Sequence, residues 1–151
     1  MSSFTGKTNA ELAITIAGDG FYPNLSLGDF QRDYRVPAEY QADMVANELE
    51  LSAANIADLL AEQRTTWALV PYASLAAAET GEGRDLIVWY YRAVYSAAKA
   101  ALLRQFVTMA QRAAANNQAK ENPGTQTYYR AQSHRAVRKI LGKPGISAQL
   151  L

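Results

Sequence analysis

The residue types that usually carry out catalysis are scarce in this chain and poorly placed. Its single histidine, His134, lies among Arg130, Arg135 and Arg138, with no carboxylate nearby in the sequence to orient its ring. A serine–histidine–acid arrangement needs such a carboxylate. The chain has no cysteine, which excludes thiol catalysis, thiolate zinc sites and disulfides. The sequence therefore predicts a protein that is not an enzyme.

Two further patterns resemble binding motifs but lack the partners that such motifs require. Asp58 and Glu62 are one helical turn apart, a spacing more typical of a solvated acidic helix surface than of an all-oxygen metal site. The glycines of residues 81–83 are not followed by the Lys-Ser/Thr pair of a phosphate-binding loop, and no dinucleotide fingerprint is present. We therefore expect no metal, no cofactor and no catalytic residue.

A basic segment near the C-terminal end is the feature that points to nucleic acid. Aromatic and cationic residues alternate there, as they do in phosphate-contacting surfaces. Tyr129 falls on the predicted apolar stripe of its helix, so Tyr128 would be the one exposed ring. A small helical DNA-binding module that uses this helix is the alternative function. The residues concerned are Tyr128, Arg130, Arg135, Arg138, Lys139 and Lys143.

Charge is distributed unevenly along the chain, although the net charge is only +1. Residues 1–81 contain 4 Lys or Arg against 11 Asp or Glu, whereas residues 82–151 contain 11 against 3. Either the acidic and basic helices pack together inside one subunit, or the acidic flank of one copy pairs with the basic flank of another. The sequence is compatible with both arrangements.

The elements that must position these charges are mainly helices. The chain has 151 residues, of which 49% are apolar, and this suits one globular domain. Ser26 has the spacing of an N-cap for a short helix, and a narrow apolar stripe over about 30 residues favours one long acidic helix that includes Glu48 on its acidic side. The predicted segments are a helix at 27–34, a helix at 38–67 with Pro37 in its first turn, a connector at 69–83, a helix at 84–117, a loop at 116–124 and a helix at 125–141.

The two ends of the chain do not have helical patterns. Residues 1–24 alternate β-branched residues and then reach a Gly-Asp-Gly turn, which predicts an arm or a short hairpin. Residues 142–151 begin with a glycine suited to ending a helix, and we expect them to form an extended tail. We therefore divide the chain into an arm (1–24), a helical bundle (25–141) and a tail (142–151). We find no signal peptide and no membrane span, so we expect a cytosolic protein.

Several segments together resemble one family of phage proteins. They are residues 21–30 (FYPNLSLGDF), 34–37 (YRVP), Asn55, 59–62 (LLAE), 88–95 (VWYYRAVY) and 136–138 (AVR), followed by the apolar C-terminus. In their order and character they are similar to the head completion, or head stabilisation, proteins of temperate bacteriophages with contractile tails. The resemblance covers most of the chain and is weakest in the first 20 residues.

This resemblance implies an all-α fold, a helical bundle of connector-adaptor type with a non-helical N-terminal arm and an extended C-terminal tail. It implies a structural adaptor that forms a ring of twelve copies beneath the portal, stabilises the DNA-filled head and receives the next neck or tail-terminator protein. Packaged DNA would pass through the ring, and no membrane and no cofactor would be involved. Such a protein is made in the host cytoplasm and ends in the virion neck.

Two candidate interfaces follow from the resemblance and the charge pattern. The tail is expected to dock on the portal, through Pro144, Ile146, Gln149, Leu150 and Leu151. Contacts between subunits are expected at Phe21, Tyr22, Glu39, Asp43, Glu50, Asp58, Arg130, Arg135 and Arg138. The core is expected to bury Ile56, Leu60, Trp89, Val94, Leu102, Phe106 and Ile140.

Overall fold

The structure is a computed structural model, and it describes residues 13–113 and 123–144. These residues form six helices and one two-stranded sheet, which confirms the predicted all-α class. The strands are β1 (Thr15–Ile16) and β2 (Leu25–Ser26); the helices are α1 (Leu27–Asp33), α2 (Ala42–Leu59), α3 (Ala61–Leu69), α4 (Leu75–Glu82), α5 (Leu86–Ala113) and α6 (Pro123–Ile140).

The N-terminal segment forms the short hairpin that the sequence left open as one of two possibilities. Strands β1 and β2 are antiparallel, with Ile16 opposite Leu25. A backbone hydrogen bond of 2.9 Å from the Leu75 N–H to the Phe21 carbonyl ties the hairpin loop to α4. Because a hairpin of this size is marginal by itself, its stability must come from the helices that it covers.

Helix α1 begins as the sequence predicts. The Ser26 hydroxyl accepts a hydrogen bond of 3.2 Å from the Asp29 N–H, which satisfies one of the free donors of the first turn. The next helix does not begin at Pro37, as predicted, but at Ala42, because residues 37–40 form a turn closed by the Tyr40 N–H on the Pro37 carbonyl.

The predicted helix over 38–67 is in fact two helices, so the prediction of one long helix was wrong. Helix α2 ends at Leu59, and Leu60, with φ −98° and ψ 4°, separates it from α3. The apolar stripe continues through the break because only one residue departs from helical geometry, and Ile56, Leu60 and Trp67 are all buried. The break turns α3 so that Trp67 reaches the hairpin, where its ring stacks on Phe21 at 5.8 Å.

The predicted connector over 69–83 contains helix α4, which the sequence analysis missed. The Ser74 hydroxyl caps this helix by accepting a hydrogen bond of 3.1 Å from the Ala77 N–H. Gly81 was interpreted as part of a loop, yet it lies within the helix. A Cβ at Gly81 would come within 2.4 Å of the Tyr72 ring, so glycine is needed there for close packing and not for a turn.

Helix α5 is the centre of the bundle, and α2, α4 and α6 all pack against it. Five of the seven residues predicted to form the core are buried, namely Ile56, Leu60, Val94, Leu102 and Ile140. Trp89 and Phe106 are only half-buried, so their prediction was wrong. The Trp89 ring lies 5.9 Å from the Lys139 ammonium, and Phe106 meets the edge of the Tyr40 ring at 5.1 Å.

Helix α6 ends as predicted. Gly142 has φ +68°, the left-handed conformation that favours glycine after the last helical turn, and the Lys143 N–H bonds the Arg138 carbonyl at 2.9 Å. The Arg138 side chain donates a hydrogen bond of 2.6 Å to the Pro144 carbonyl, which holds the first residues of the tail against the helix.

Candidate assembly surfaces

The outer side of α2 carries an exposed row of carboxylates, which we call the acidic surface: Asp43, Glu50 and Asp58, with Glu39 in the preceding turn. Glu48, expected among them, is instead buried and accepts a hydrogen bond of 2.8 Å from Gln105 on α5. The prediction that Glu48 lies on the exposed acidic side was wrong, because the buried side of α2 is wider than its apolar residues alone indicate. The acidic surface is thus separate from the α2–α5 contact.

Helix α6 presents the opposite charge. Arg130, His134 and Arg135 are exposed, whereas Ser133, Ala136, Val137 and Ile140 are buried. Arg138 is half-buried, and its bond to the Pro144 carbonyl leaves it less available to a partner. We call Arg130, His134 and Arg135 the basic surface.

An open groove of about 530 Å³ lies where α2 and α6 flank α5, and the sequence analysis did not foresee it. Small α5 side chains, Ala97 and Ala101, line it, and the exposed Leu59 stands at its α2 edge. The available signal was the four-residue spacing of these alanines, which places them on one side of α5. The remaining lining residues are Glu48, Ser52, Asn55, Ile56, Ala100, Arg104, Gln105, Gln126, Arg130, Ser133, His134 and Val137.

A second cleft, of about 640 Å³, lies between α1, α5 and α6 and is rich in tyrosine. The Tyr91 hydroxyl donates to the Asn24 carbonyl at 3.0 Å, and the Tyr95 hydroxyl accepts from the Ser26 N–H at 3.2 Å. Burial raises the pKa of Tyr95 to about 12, so this phenol stays protonated at all ordinary pH values. These tyrosines attach the hairpin to α5.

Phe21 and Tyr22, predicted to contact another subunit, lie inside their own. Tyr22 stacks on Tyr90 with ring centroids 4.9 Å apart, and both hairpin rings are at least nine-tenths buried. The Arg64 guanidinium covers the Phe21 ring at 4.7 Å and also pairs with Asp19. Little of either ring is therefore exposed for contact with a neighbouring subunit.

Asp19 fixes the hairpin loop that carries these rings. One oxygen of its carboxylate accepts from the N–H groups of Phe21 and Tyr22, each at 3.0 Å, and the other pairs with Arg64. Partial burial works to raise the pKa of this carboxyl, but the hydrogen bonds outweigh it and hold the pKa below its usual 3.8.

The sequence over residues 16–151 matches the family model of the phage head completion protein (GPL). The chain belongs to this family. No curated protein and no solved structure shows significant similarity to it. Membership confirms the resemblance noted in the sequence, and it covers the whole bundle described above.

This head completion protein therefore has a structural role in phage head assembly. Its place is the virion, and its partners are other proteins of the phage head or tail. Among the residues that the structure describes, no helix has the length and apolar character to cross a bilayer. The same residues contain no cluster of three or more side chains suited to hold a metal ion.

Of the expected docking tail of this head completion protein, only Pro144 is described, and it is exposed. Ile146, Gln149, Leu150 and Leu151 lie outside the described residues. The division into arm, bundle and tail stays a prediction, although residues 13–24 contact the bundle through the hairpin.

Proposed function

We propose that this protein is a structural adaptor of the phage head-to-tail connector. In this proposal twelve copies form a ring beneath the portal, stabilise the DNA-filled head and receive the next neck or tail-terminator protein. Packaged DNA passes through the ring. The family match supports a role in completing the head. The observation that carries the ring is the exposure of opposite charges on two different helices of one subunit, the acidic surface of α2 and the basic surface of α6.

Charges of opposite sign on different parts of a subunit favour a head-to-tail contact between copies. A contact that joins two different surfaces repeats from copy to copy, and it gives a closed ring when the rotation between copies allows it. Exposed charges act mainly by steering and orienting partners, and salt screens them. Assembly of the ring should therefore weaken as the salt concentration rises.

Neutralising the acidic surface tests this contact. We expect the combined change Glu39→Gln, Asp43→Asn, Glu50→Gln and Asp58→Asn to weaken ring formation on portal-bearing heads, while the variant keeps the circular dichroism and melting temperature of the parent. A matched control neutralises four exposed carboxylates outside α2, in Asp29→Asn, Asp33→Asn, Glu62→Gln and Asp85→Asn. If the α2 variant assembles normally at every salt concentration, the acidic surface does not take part in the contact between copies, and this proposal is wrong.

The tail is the proposed portal-docking element. Pro144 is exposed beyond the end of α6, and Ile146, Leu150 and Leu151 alternate with polar residues in the sequence. An extended segment of this kind can add to the edge of a sheet or enter a pocket on its partner. The portal is proposed as that partner because it forms the vertex at which the head is completed.

Removing residues 146–151 tests the docking. We expect thermal unfolding to change little, because the last helix ends at Ile140. The truncated protein should fail to attach to DNA-filled heads, and the genome should leak. A full-length variant with Ile146→Ser, Leu150→Ser and Leu151→Ser separates apolar contact from length. Normal attachment and DNA retention by the truncated protein would move docking to the helices or to the N-terminal arm.

A DNA-binding module remains the second candidate, supported by the exposure of Tyr128 beside Arg130 and Arg135. Phosphate contacts release counterions, so duplex affinity would fall steeply as salt is raised. Titration of labelled duplex with the purified protein at several salt concentrations measures that slope. An adaptor would bind duplex weakly, and Arg130→Gln/Arg135→Gln would weaken its ring assembly without changing duplex binding, whereas a DNA-binding module would lose duplex affinity with those cations.

A further inference from the structure

We infer that helix α2 of one subunit docks into the α2–α5–α6 groove of the next, and that this is the contact that closes the proposed ring. The inference rests on the proposed function and names the surfaces that meet. It is narrower than a general attraction between acidic and basic surfaces, because it assigns one occupant to one groove and leaves Arg135 outside it.

The groove is long enough to hold three turns of a helix. Its lining runs from Glu48 to Leu59 along α2 and from Gln126 to Val137 along α6, and each run is about 16 Å, or three turns, at the helical rise per residue. Ala97 and Ala101 are small side chains, so a second helix can approach α5 closely at this point. An amphipathic helix laid in such a groove is a common mode of protein recognition.

The groove is also electrically suited to an acidic helix. Arg104, Arg130 and His134 line it and are exposed. Glu48 is the one carboxylate among the lining residues, all of which the structure describes, and it is buried and hydrogen-bonded to Gln105 at 2.8 Å. A helix with carboxylates on the inserted side would meet cations and no exposed like charge.

The outer side of α2 supplies such a helix. At 100° per residue, Asp43, Glu50, Ala54 and Asp58 lie within one narrow sector of its surface. Leu51 lies beside them and is 51% exposed, which is a large apolar exposure for the middle of a helix. An apolar anchor flanked by carboxylates matches the alanines of the groove and its basic edge.

The two surfaces of α2 do not overlap, so one subunit can use both at once. Ser52, Asn55, Ile56 and Leu59 form the groove wall, on the side of α2 turned toward α5 and α6. The occupant surface around Ala54 points the other way. Each copy can therefore insert its own α2 into one neighbour while receiving α2 from the other. This contact is heterologous and continues around a ring.

Disulfide cross-linking tests the contact directly, because the chain has no native cysteine. The double variant Ala54→Cys/Ala101→Cys places one thiol on the occupant surface and one in the groove. In phage heads assembled with this variant and then oxidised, we expect a ladder of dimers, trimers and higher species on non-reducing gels. Disulfides need Cα atoms within about 7 Å, so the ladder reports direct docking.

The matched controls are the two single-cysteine variants and Ala54→Cys/Ala131→Cys. Ala131 is exposed on α6 but does not line the groove. The single variants should give dimers at most, and the Ala131 pair no ladder. The inference is overturned if the protein is present in the heads and the groove pair gives no ladder, or if the Ala131 pair cross-links equally well. Absence of the protein from the connector would contradict the proposed function instead.

Charge reversal provides an independent readout. Arg130→Glu, inside the groove, should reduce the yield of the Ala54–Ala101 ladder by about tenfold, while Arg135→Glu, on the same helix and outside the groove, should change it less than about twofold. Adding Glu50→Arg to the Arg130→Glu protein should restore part of the yield. Equal losses from both arginine variants would indicate diffuse attraction and overturn the assignment of the groove.

Discussion

Two neighbouring regions of helix α5 differ in what covers them. The first carries Tyr90, Tyr91 and Tyr95, and the hairpin and α1 contact these rings. The second carries Ala97, Ala100 and Ala101, and there α2 and α6 leave an open groove. The same helix thus completes one contact within the subunit and leaves another open.

Side-chain size explains this difference. Large rings at one end of α5 reach segments that are far away in sequence, as the stacking of Tyr90 on Tyr22 shows. Methyl groups in the middle of α5 allow helices to approach but cannot fill the space between two flanking helices. We infer that the aromatic region, defined as Phe21, Tyr22, Phe30, Trp67, Tyr90 and Tyr95, determines stability, whereas the groove is available for association. Each prediction below tests this division.

The largest effects are expected from truncation of buried side chains. Trp67 is fully buried, stacks on Phe21 and donates from Nε1 to Glu82 at 2.8 Å, so Trp67→Ala should reduce the free energy of unfolding by roughly 3–5 kcal/mol. Leu102→Ala should cost roughly 2–5 kcal/mol. Leu59→Ala, at the edge of the groove and 54% exposed, should cost less than about 1 kcal/mol. Urea unfolding measures all three, and a cost at Leu59 equal to that at Trp67 would contradict the division.

Alkaline unfolding should begin in the aromatic region. Burial raises the pKa of Tyr22, Tyr90 and Tyr95 in this region, and of the neighbouring Tyr34 and Tyr91, above the usual 10.0. The folded state therefore favours the neutral phenols. Their contribution is fully present below pH 10 and is lost as pH rises through the folded-state pKa, which for Tyr95 is about 12.

The measurement follows helicity and phenolate absorbance together during titration to high pH. We expect the phenolates of these tyrosines to form in the same step in which circular dichroism falls. Gradual ionisation of every tyrosine near pH 10 with full helicity retained would show that these rings are solvated, and would remove the basis for assigning stability to this region.

Local signals allowed part of this fold to be predicted from sequence. The Ser26 cap, the Gly142 stop, the ranges of α1 and α6 and the start of α5 depend on neighbouring residues, and the structure confirms them within a few residues. The predicted end of α5 at residue 117 and most of the loop predicted at 116–124 lie outside the described residues. The break at Leu60 has no such signal, because neither proline nor glycine marks it and the apolar stripe keeps its phase. It is determined by the contact of Trp67 with a hairpin some 45 residues away in the chain.

The candidate surfaces were also predictable only in part, because some of their features depend on residues that are distant in the sequence. The exposure of Asp43, Glu50 and Asp58 follows from helical periodicity. The burial of Glu48 depends on Gln105, 57 residues away, and could not be read from its own helix. The groove depends on the distance between α2 and α6 across α5, which only the assembled bundle defines.

Tyrosine hydroxyls at the hairpin should differ in their effects, although both rings are buried. Tyr95→Phe removes the acceptor for the Ser26 N–H and should cost about 1–2 kcal/mol. The Tyr22 hydroxyl is buried without a hydrogen-bond partner among the described residues, so Tyr22→Phe should be neutral or slightly stabilising. Paired denaturant titrations at pH 7 compare them. A larger cost at Tyr22 than at Tyr95 would place the important polar contact of the hairpin elsewhere.

A small loss of stability is expected on substitution of Asp19, where the hairpin loop meets α3. Asp19→Asn keeps an oxygen that can accept from the Phe21 and Tyr22 N–H groups but loses the charge that pairs with Arg64. Because both charged groups are substantially exposed, the loss at pH 7 should be about 0.2–1 kcal/mol.

The folded-state pKa of Asp19 is below 3.8, so its contribution is present above that pH and is lost as pH falls further. The difference in unfolding free energy between parent and variant should therefore shrink between pH 5 and about pH 2. Since the variant retains its other carboxyls, acid effects elsewhere cancel in this comparison. A difference that stays constant or widens in acid would show that Asp19 acts through its geometry alone, and that the hairpin covers α5 without help from this charge.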